Sequence, residues 1–528
     1  MEQAKKSKLH RRLTSVIMIV IILTVASFSG CTGENTTNTT ADKTITEENT
    51  LMTEENTTFC GYQIELSGGA GVKDGVLSSE KKGTGLVDLG GVTKYAVSFN
   101  VRLTDRNGGG VNLLYIDEDN YYRLNLGPRW HTATLSRKQN GNLEVIKTSN
   151  CNVTSDCEVN VRITVSGTLL RIYIDDGGEY KDIAKFDVYV PAGYTKNGKR
   201  IMLDCANGTV SYSGFALEEI TGKTDVGKSY INPVHENSAD PYILVDNGTY
   251  YLYATNAVME GYRVYTSKDL KNWSGGSLCL RTADVYGAPT SSAGFWAPEV
   301  YRAGEKYYLV YTVAEHIGIA VSDSPTGPFK SPISRYLVSH SAIDPTLFFD
   351  DDGKVYLYYV GWGSVSYGIY GREINLETYE LGEEKPILKP DSGTWETKEG
   401  SVTEGPFMLK HDGTYYLTYS GNGYQSKYYA VGYATSSDPL SGFWKYSNNP
   451  ILSQLPSNEV YGPGHHAFFT TPGGELMIVY HRHFSSTAVH ARTACLDRAV
   501  FVKYPDEKIA RLEILGPTSS YQPLPDIS

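Results

Sequence analysis

The segment Tyr250-Tyr251-Leu252 follows a turn at Gly248, and four similar segments succeed it at spacings of 48 to 61 residues. The five segments read Tyr250-Tyr251-Leu252, Tyr307-Tyr308-Leu309, Val355-Tyr356-Leu357, Tyr415-Tyr416-Leu417 and Leu476-Met477-Ile478. Aromatic and β-branched runs that follow glycine turns are typical of β-strands. A repeat of roughly 50 residues with this composition is typical of a β-propeller, one four-stranded blade per repeat. The pattern therefore predicts a five-bladed β-propeller.

Each tyrosine-rich segment is preceded by an ionisable residue at a nearly constant distance. These residues are Asp240, Glu299, Asp344, Glu404 and His465, which stand 10, 8, 11, 11 and 11 residues before their segments. The first strand of each blade lines the central channel of a propeller, so equivalent positions in different blades converge on one axial pocket. Acids beside proline or glycine are also common turn formers. Five of them in register nevertheless indicate a functional acidic pocket.

The composition narrows the class of protein. The chain has 528 residues, of which 40% are hydrophobic and 12% aromatic, so two globular domains are expected. A formal net charge of −11, with no basic cluster after the N-terminus, argues against nucleic acid as a partner. The 41 tyrosines suit both the strands of propeller blades and sugar-facing surfaces.

The N-terminal residues have the layout of an export signal. A basic run from Lys5 to Arg12 precedes an apolar stretch from Leu13 to Phe28, and Ser29-Gly30-Cys31 resembles a lipoprotein processing site. The alternative is an uncleaved signal anchor. Residues 32–58 are rich in Thr, Asn and Glu and are predicted to form a disordered tether. We therefore expect an extracellular protein tethered to the cell surface, with a lipid anchor at Cys31 after the signal of residues 1–31.

The remaining six cysteines suit an oxidising compartment. In the first domain we expect Cys151 to pair with Cys157 and Cys60 with Cys205. Cys279 and Cys495 fall in the first and last blades, which become neighbours when the ring closes. They are either a disulfide clasp or two buried thiols.

Residues 59–220 show alternating strands separated by glycine turns, and no helical period competes. This domain is predicted to be a β-sandwich that looks like the concanavalin-type jelly rolls attached to extracellular carbohydrate enzymes. Its candidate sugar contacts, which are equally candidates for core and rim positions, are Tyr121, Tyr122, Arg123, Trp130 and His131. A linker is expected at residues 221–229, and the propeller domain at residues 230–528.

The first four blades each carry one short motif, and these are Ser238-Ala239-Asp240-Pro241, Phe295-Trp296-Ala297-Pro298-Glu299-Val300, Ile343-Asp344-Pro345-Thr346 and Thr403-Glu404-Gly405-Pro406. Together they resemble glycoside hydrolase family 43 over residues 230–505. The resemblance implies an inverting glycosidase in which Asp240 is the general base and Glu404 the general acid. Inversion requires their carboxyl groups to lie roughly 6.5 to 9.5 Å apart. Asp344 is implied to raise the pKa of Glu404 by like-charge repulsion and to orient it.

Further residues are implied to support the site. Trp296, Glu299, Phe295 and His465 are candidates for binding substrate, whereas Trp362 and Trp395 either stack on sugar or pack within blades. His465 or His466 could lie near a structural calcium ion, although calcium prefers oxygen ligands. A histidine that forms hydrogen bonds in the channel is the alternative. No organic cofactor is implied, and His481, Arg482 and His483 receive no role.

The leading interpretation is an extracellular glycosidase of the α-L-arabinofuranosidase or β-xylosidase type, acting on arabinose- or xylose-containing carbohydrate. Its expected partner is the carbohydrate substrate. Membrane contact would occur only through the lipid or signal anchor, and we expect a monomer. The alternative is a non-catalytic surface propeller that binds glycan or protein. Such a binder would not need Asp240, Asp344 and Glu404 together.

Overall fold

The structure is a computed structural model that describes residues 57–177, 181–221, 226–338, 340–362 and 367–526. The predicted export signal, most of the predicted tether and part of the predicted linker lie outside these residues. The described residues form one compact unit. Within them, no helix is both long enough and apolar enough to cross a membrane.

The first domain contains fifteen strands and a short helix α1 (Ala192–Asn197). The strands are β1 (Thr58–Phe59), β2 (Tyr62–Ser67), β3 (Ala70–Lys73), β4 (Val76–Ser79), β5 (Thr84–Asp88), β6 (Lys94–Leu103), β7 (Gly109–Asp117), β8 (Asn120–Gly127), β9 (Thr132–Gln139), β10 (Asn142–Asn150), β11 (Cys157–Ser166), β12 (Leu169–Asp175), β13 (Phe186–Tyr189), β14 (Arg200–Asp204) and β15 (Val210–Glu219).

These strands form two antiparallel sheets. One has the order β1-β2-β5-β14-β7-β8-β9-β10 and the other β13-β12-β11-β6-β15-β4-β3. Strand β11 shows why they pair face to face, because Val159, Val161, Ile163 and Val165 alternate with more exposed residues and are buried. Apolar side chains from both sheets share one core. The domain is therefore a β-sandwich.

The second domain contains the remaining strands. They are β16 (Ser229–Tyr230), β17 (Ala239–Asp246), β18 (Thr249–Thr255), β19 (Gly261–Ser267), β20 (Ser274–Arg281), β21 (Phe295–Ala303), β22 (Lys306–Val313), β23 (His316–Ser322), β24 (Ala342–Phe349), β25 (Val355–Trp362), β26 (Tyr367–Glu373), β27 (Lys385–Leu388), β28 (Thr403–His411), β29 (Thr414–Gly421), β30 (Ala430–Ser436), β31 (Trp444–Lys445), β32 (Gly464–Thr470), β33 (Leu476–Arg482), β34 (Thr493–Val502), β35 (Arg511–Ile514) and β36 (Gln522–Pro523).

Five successive antiparallel sheets make the blades. They are β17–β20, β21–β23, β24–β27, β28–β31 and β32–β35, and blade two has three strands where the others have four. Short 3-10 helices lie at Ala206–Gly208, Val226–Lys228, Thr282–Asp284, Trp395–Thr397 and Pro456–Asn458. The prediction of an all-β chain with a sandwich followed by a five-bladed propeller is confirmed.

Tyrosines fill the spaces between blades, and their hydroxyls reach backbone carbonyls. The Tyr358 hydroxyl donates to the carbonyl of Pro439 at 2.7 Å, and the Tyr416 hydroxyl donates to the carbonyl of Ala510 at 2.8 Å. Both rings are fully buried. A buried hydroxyl requires such a partner, so the tyrosine-rich strands are explained by packing without any reference to sugar.

The ring closes without a covalent clasp. The chain just before blade one runs beside β34 of blade five, where the Asn232 amide donates to the carbonyl of Leu496 at 2.7 Å. The six cysteines of the described residues, which include Cys279 and Cys495, are free thiols. The thiol of Cys279 instead donates to the carbonyl of Tyr262 in its own blade at 3.3 Å. Of the two alternatives for this pair, the structure shows buried thiols.

The disulfides expected in the sandwich are absent from the structure. The Cys157 sulfur accepts a hydrogen bond from the Thr154 N–H at 3.3 Å, whereas Cys151 is fully buried in the core. Cys60 is exposed and Cys205 is buried. The expected pairs Cys151–Cys157 and Cys60–Cys205 are therefore not formed. The pairing was not predictable because a disulfide depends on Cα separations and side-chain directions, which a sequence does not contain.

Of the two alternatives for the candidate sugar contacts of the sandwich, the structure shows core or rim packing for most. Tyr122 and His131 are buried, and the Arg123 guanidinium pairs with the Asp204 carboxylate at 2.9 Å. Tyr121 stacks on Tyr115 at a ring distance of 6.0 Å. Trp130, with 62% of its surface exposed, is the member of this set that leaves a large aromatic face open.

The sandwich packs against the C-terminal part of the propeller through polar contacts. The Gln522 side chain donates to the buried Asp187 carboxylate at 2.7 Å, and the Asn458 side chain donates to the Asp187 carbonyl at 2.7 Å. The Arg511 guanidinium donates to the Trp130 carbonyl at 3.1 Å. These hydrogen bonds supply partners to Oδ2 and the backbone carbonyl of Asp187 and to the Trp130 carbonyl.

Candidate active site

The first strand of every blade carries a bulge near its start, where two residues oppose one on the neighbouring strand. The first bulged residue has a positive φ in each blade: Asp240 (49°), Ala297 (46°), Asp344 (56°), Gly405 (53°) and His465 (45°). The second is Pro241, Pro298, Pro345, Pro406 and His466. Proline suits a bulge because it has no N–H to give to the ladder. The bulge is therefore the repeated device that shapes the channel.

This register corrects the predicted alignment in two blades. In blade two the residue equivalent to Asp240 is Ala297, and Glu299 lies two residues later, where it pairs with Val310. In blade four the equivalent residue is Gly405, and Glu404 precedes it by one position. The short offset of Glu299 and the X-Pro dipeptides were the signals for the correct register.

Glu299 lies beside, rather than within, the set of bulged residues. Its carboxyl accepts a hydrogen bond from the Tyr301 hydroxyl, which also contacts the Thr346 hydroxyl at 2.9 Å. Burial raises the pKa of Glu299 to about 8, with the Asp344 charge acting in the same direction. Glu299 is therefore a protonated carboxyl between blades two and three.

Asp240 is a buried carboxylate in a basic environment. Its Oδ1 accepts a hydrogen bond from Arg492 Nη1 at 2.8 Å and lies 3.3 Å from His481 Nδ1 and 3.4 Å from His465 Nδ1. Burial by itself raises the pKa of Asp240, but the Arg492 guanidinium, together with His465, more than offsets that effect and holds the pKa well below its ordinary value. Asp240 is therefore ionised over the whole range in which an enzyme would work.

Asp344 occupies the equivalent position in blade three but has the opposite electrostatic character. Its Oδ2 accepts a hydrogen bond from the Gly405 N–H at 3.1 Å and lies 4.0 Å from His465 Nδ1. Burial raises the pKa of Asp344 to about 7, against the opposing effect of His465 and with the help of the charges on Glu404 and Asp240. Asp344 therefore holds its proton up to neutral pH.

Glu404 is partly exposed at the start of β28. Burial raises its pKa to about 7, and the Asp240 charge adds to this, while Tyr429 and Arg492 act in the opposite direction. Repulsion from Asp344 was the expected cause of the raised pKa. In the structure, burial is the largest cause and Asp240 is the acid whose charge adds to it.

Two residues that sequence reasoning passed over contact the ionised acid. Arg492 lies in the loop before β34, where its guanidinium also lies 4.7 Å from the Tyr424 ring centroid. His481 is the last residue but one of β33, the second strand of blade five. It is fully buried, and burial together with Arg492 lowers its pKa to about 3. His481 is thus neutral, and its Nδ1 accepts a hydrogen bond from the Asp240 N–H at 3.1 Å.

The aromatic candidates divide by exposure. Phe295 is fully buried between Tyr262 and Tyr311, so its predicted contact with substrate is wrong. Trp296 is partly exposed and occupies the blade-two position that Glu404 occupies in blade four. Trp362 is 54% exposed beside Tyr367, whereas Trp395 stacks on Tyr419 at 5.8 Å.

The two adjacent histidines point in different directions. His465 faces Asp240 and Asp344 in the channel. His466 is buried within the blade, where its Nε2 lies 2.7 Å from the Thr418 hydroxyl and burial lowers its pKa to about 3. Among the described residues, no group of three His, Cys, Asp or Glu side chains could hold a metal ion. The calcium ion suggested near His465 or His466 stays a prediction, because calcium also takes carbonyl and water oxygens as ligands.

Residues 230–503, just over half of the chain, match the family described as "Glycosyl hydrolases family 43". A curated relative, the Beta-D-galactofuranosidase xynD of Aspergillus niger, is 33% identical over 54% of this chain and 85% of its own length. An arabinoxylan arabinofuranohydrolase of Bacillus subtilis is 28% identical over 55% of this chain and 64% of its own length. The chain thus spans less than two thirds of the second relative.

Solved structures agree with this assignment. A crystal structure of a thermostable family-43 glycoside hydrolase is 36% identical to this chain and has a TM-score of 0.52. The match covers 56% of this chain and 99% of the other. An endo-1,4-beta-xylanase from Bacteroides thetaiotaomicron is 35% identical with a TM-score of 0.50, over 54% of this chain and 97% of its own. The chain belongs to glycosyl hydrolase family 43, and its propeller is a glycosidase domain.

Proposed function

We propose that this chain is an extracellular, surface-tethered, inverting glycosidase that hydrolyses O-glycosidic bonds in arabinose- or xylose-containing polysaccharides or oligosaccharides. The observation that carries the proposal is the different ionisation of two carboxyl groups that lie close enough for the charge of Asp240 to raise the pKa of Glu404. Asp240 is ionised because its pKa lies well below the ordinary value, whereas Glu404 has a pKa of about 7. Inverting hydrolysis needs one carboxylate to accept a proton and one carboxylic acid to donate a proton.

In the proposed reaction, Asp240 takes a proton from a water molecule while the water oxygen attacks the anomeric carbon. Glu404 donates its proton to the glycosidic oxygen as the bond between that oxygen and the anomeric carbon breaks. The products are a sugar of inverted configuration and the free alcohol. Asp240 then loses its proton to solvent and Glu404 regains one, so the site returns to its starting state.

The surrounding residues support these roles. Arg492 fixes the Asp240 carboxylate by donating to its Oδ1, and His481 fixes the Asp240 backbone by accepting its N–H. Asp344 is proposed to orient the pocket and to titrate together with Glu404, because the charge on Glu404 raises the pKa of Asp344. Trp296, Glu299 and His465 are the proposed contacts to substrate.

The proposed substrate class draws on the printed names of relatives. The Bacillus subtilis relative is named an arabinoxylan arabinofuranohydrolase, and another Bacillus subtilis relative, 28% identical over 49% of this chain, is named a beta-xylosidase. The Aspergillus niger relative is named for galactofuranose, which is also a five-membered ring. A test of specificity should therefore include galactofuranosides.

The location is a separate part of the proposal and rests on residues 1–58. Labelling of the full chain with radioactive palmitate in a bacterial host tests it, with Cys31→Ser as the comparison. Label that is present in the wild-type chain and lost in the variant supports the lipid anchor. Equal labelling of both chains would contradict it.

The activity is tested with residues 56–528 and a panel of nitrophenyl α-L-arabinofuranoside, β-D-xyloside, β-D-galactoside and β-D-galactofuranoside, together with linear arabinan and xylan. Glu404→Gln should lose about 10²- to 10⁴-fold in kcat because it removes the general acid. Glu305→Gln, at the exposed turn between β21 and β22, is the matched control and should keep full activity. Unchanged turnover in Glu404→Gln would contradict its role.

If the wild-type chain hydrolyses no substrate of the panel but binds sugars on glycan arrays, a non-catalytic propeller is favoured. Where turnover is found, proton NMR of the first product anomer tests the stereochemistry. The proposal predicts that the anomeric configuration is inverted. A first product with retained configuration would contradict the assignment of Asp240 as a base that acts through water.

A further inference from the structure

The backbone N–H of the first bulged residue donates to a side chain on the second strand of the preceding blade in four of the five blades. The acceptor is a side chain on the second strand of that blade, at the position that pairs with the residue just before the bulge. The hydrogen bonds run from Ala297 to Thr255 Oγ1 (2.8 Å), from Asp344 to Thr312 Oγ1 (3.0 Å), from His465 to Ser420 Oγ (2.9 Å) and from Asp240 to His481 Nδ1 (3.1 Å).

Blade three breaks this pattern at Val360. Val360 pairs with Ile343, just as Thr312 pairs with Trp296, so it occupies the acceptor position of its blade. Its side chain is apolar and fully buried in the cluster between blades three and four that includes Met408. It offers no acceptor to the Gly405 N–H of the next blade. That N–H instead donates to Asp344 Oδ2 at 3.1 Å.

The substitute acceptor has a chemical consequence. A buried N–H needs a hydrogen-bond acceptor, so the Gly405 N–H donates to the acceptor that lies nearby, which is Asp344 Oδ2. A carboxylate that accepts a backbone N–H is fixed in orientation, and its ionised form is stabilised. Gly405 has a φ of 53°, which favours glycine and aims its N–H at Asp344.

We propose that Val360 is a positioning residue of the active site. Because it withholds an acceptor from the Gly405 N–H, that N–H is left to hold the Asp344 carboxyl beside Glu404. The inference rests on the proposed roles of Glu404 and Asp344 in catalysis. The other blades supply the comparison, since a threonine at the equivalent position binds the next bulged N–H in blades one and two.

Several ionisable groups act on Asp344 and must be kept constant in a test. All five blades contribute to this set, which consists of Asp240, Glu299, Tyr367, Glu404, Tyr429 and His465. Val360 carries no charge. Its substitution therefore changes the hydrogen bond to Gly405 without removing any of these groups.

The test is Val360→Thr, which has nearly the same shape as valine and adds one hydroxyl. We expect the hydroxyl to accept the Gly405 N–H, so that the Asp344 carboxylate loses its donor and Asp344 keeps its proton to higher pH. In a coupled pair the partner then loses its proton earlier. The alkaline limb of the kcat/KM profile should move down by about one pH unit, with kcat reduced and KM within about two-fold of wild type.

Val360→Ser and Val360→Ala form a second matched pair in case the threonine variant does not fold. Both remove apolar volume, but serine alone supplies a hydroxyl. We expect the shift of the alkaline limb in the serine variant and its absence in the alanine variant. Profiles that are the same for both variants, or the same for Val360→Thr and wild type, would overturn the inference.

A spectroscopic readout separates this inference from the proposed function. Labelling with ¹³C-carbonyl glutamate and ¹⁵N-glycine selects Glu-Gly pairs, of which the sequence has three, at residues 260–261, 399–400 and 404–405. The Gly405 amide resonance should titrate with Asp344 at about pH 7 in the wild-type chain and lose most of that response in Val360→Thr. An amide that titrates equally in both would overturn the positioning role, whether or not the chain hydrolyses any glycoside.

Discussion

The bulges of blade one and blade three place an aspartate in the same backbone geometry and give it opposite chemistry. Asp240 and Asp344 have φ values of 49° and 56°, and each is followed by proline. The pKa of Asp240 lies well below its ordinary value, however, whereas that of Asp344 is raised to about 7. The difference comes from the neighbours, since the Arg492 guanidinium binds Asp240, whereas Asp344 is buried beside the carboxyl groups of Glu404 and Asp240.

The comparison shows that the bulge fixes where each carboxyl group lies, whereas residues of the neighbouring blades determine its pKa and therefore its chemical role. A propeller repeats one backbone site five times around an axis, so a change in a single neighbour is enough to separate a base from an uncharged acid. Charged neighbours within about 4 to 6 Å move a carboxyl pKa by one to three units. That range covers the difference between a group that accepts protons and a group that keeps its own.

The largest effect should come from removing the ionised member of the pair. Asp240→Asn eliminates the proposed base and should lower kcat by about 10³- to 10⁴-fold, measured with the best substrate of the panel. Asp246→Asn is the control, because Asp246 lies at the other end of the same strand, where it pairs with Arg302 at 2.6 Å. A loss in Asp240→Asn no greater than in the control would contradict the comparison.

A second prediction concerns Arg492→Met, which removes the cation bound to Asp240 and so makes its environment more like that of Asp344. The ionised Asp240 stabilises the fold above the ordinary pKa of about 3.9, and this stabilisation is lost as the pH falls through the folded-state value. In Arg492→Met the folded-state pKa rises, so the acid limb of kcat/KM should move up by about one to three pH units.

The matched control for this experiment is Arg498→Met. Arg498 forms a buried ion pair with Glu475 at 2.6 Å, on the strand that follows Arg492. It should cost stability and leave the acid limb in place. An acid limb that is the same in Arg492→Met and in the wild-type chain would show that Arg492 does not hold Asp240 ionised.

A third prediction concerns stability and has opposite signs for the two aspartates. Burial raises the pKa of Asp344 to about 7, so the folded state is penalised as the pH rises from the unfolded value of about 3.9 to about 7. Asp344→Asn removes that penalty of about three pKa units and should be more stable than wild type by up to about 4 kcal/mol at pH 8, with no gain at pH 4. Asp240→Asn should be less stable than wild type at pH 8.

Denaturant unfolding at pH 4, 6 and 8 measures these differences. The sign matters more than the size, because both variants retain an amide oxygen that can accept the local N–H groups. A loss of stability in Asp344→Asn at pH 8 equal to that in Asp240→Asn would mean that the two carboxyls are in the same state.

The fold was readable from the sequence because each blade repeats a tyrosine-rich strand and a glycine turn. Asp240, Asp344 and Glu404 were found through their motifs and offsets. Ala297 was missed in favour of Glu299, because an alanine carries no chemistry and the search was for ionisable residues. Phe295 and Trp296 precede the bulge and follow the alternation of a strand, but both are aromatic, so the sequence did not show which of the two faces the core.

The neighbours of Asp240 were harder to predict, for two different reasons. His481 is the sixth residue of its tyrosine-rich repeat, as are Thr255, Thr312 and Ser420, so the repeat itself contained the signal. Arg492 lies in a loop between strands, and no repeat position identifies it. Loops have no periodicity, so only the three-dimensional structure brings Arg492 to Asp240.

The most direct test of the account is carboxyl ¹³C NMR of the chain labelled at aspartate, followed from pH 3 to pH 9. The Asp240→Asn and Asp344→Asn variants assign the two signals. The account predicts that Asp240 stays ionised down to the lowest pH and that Asp344 titrates at about 7. Two carboxyls that both titrate near the ordinary aspartate value of about 3.9 would contradict it.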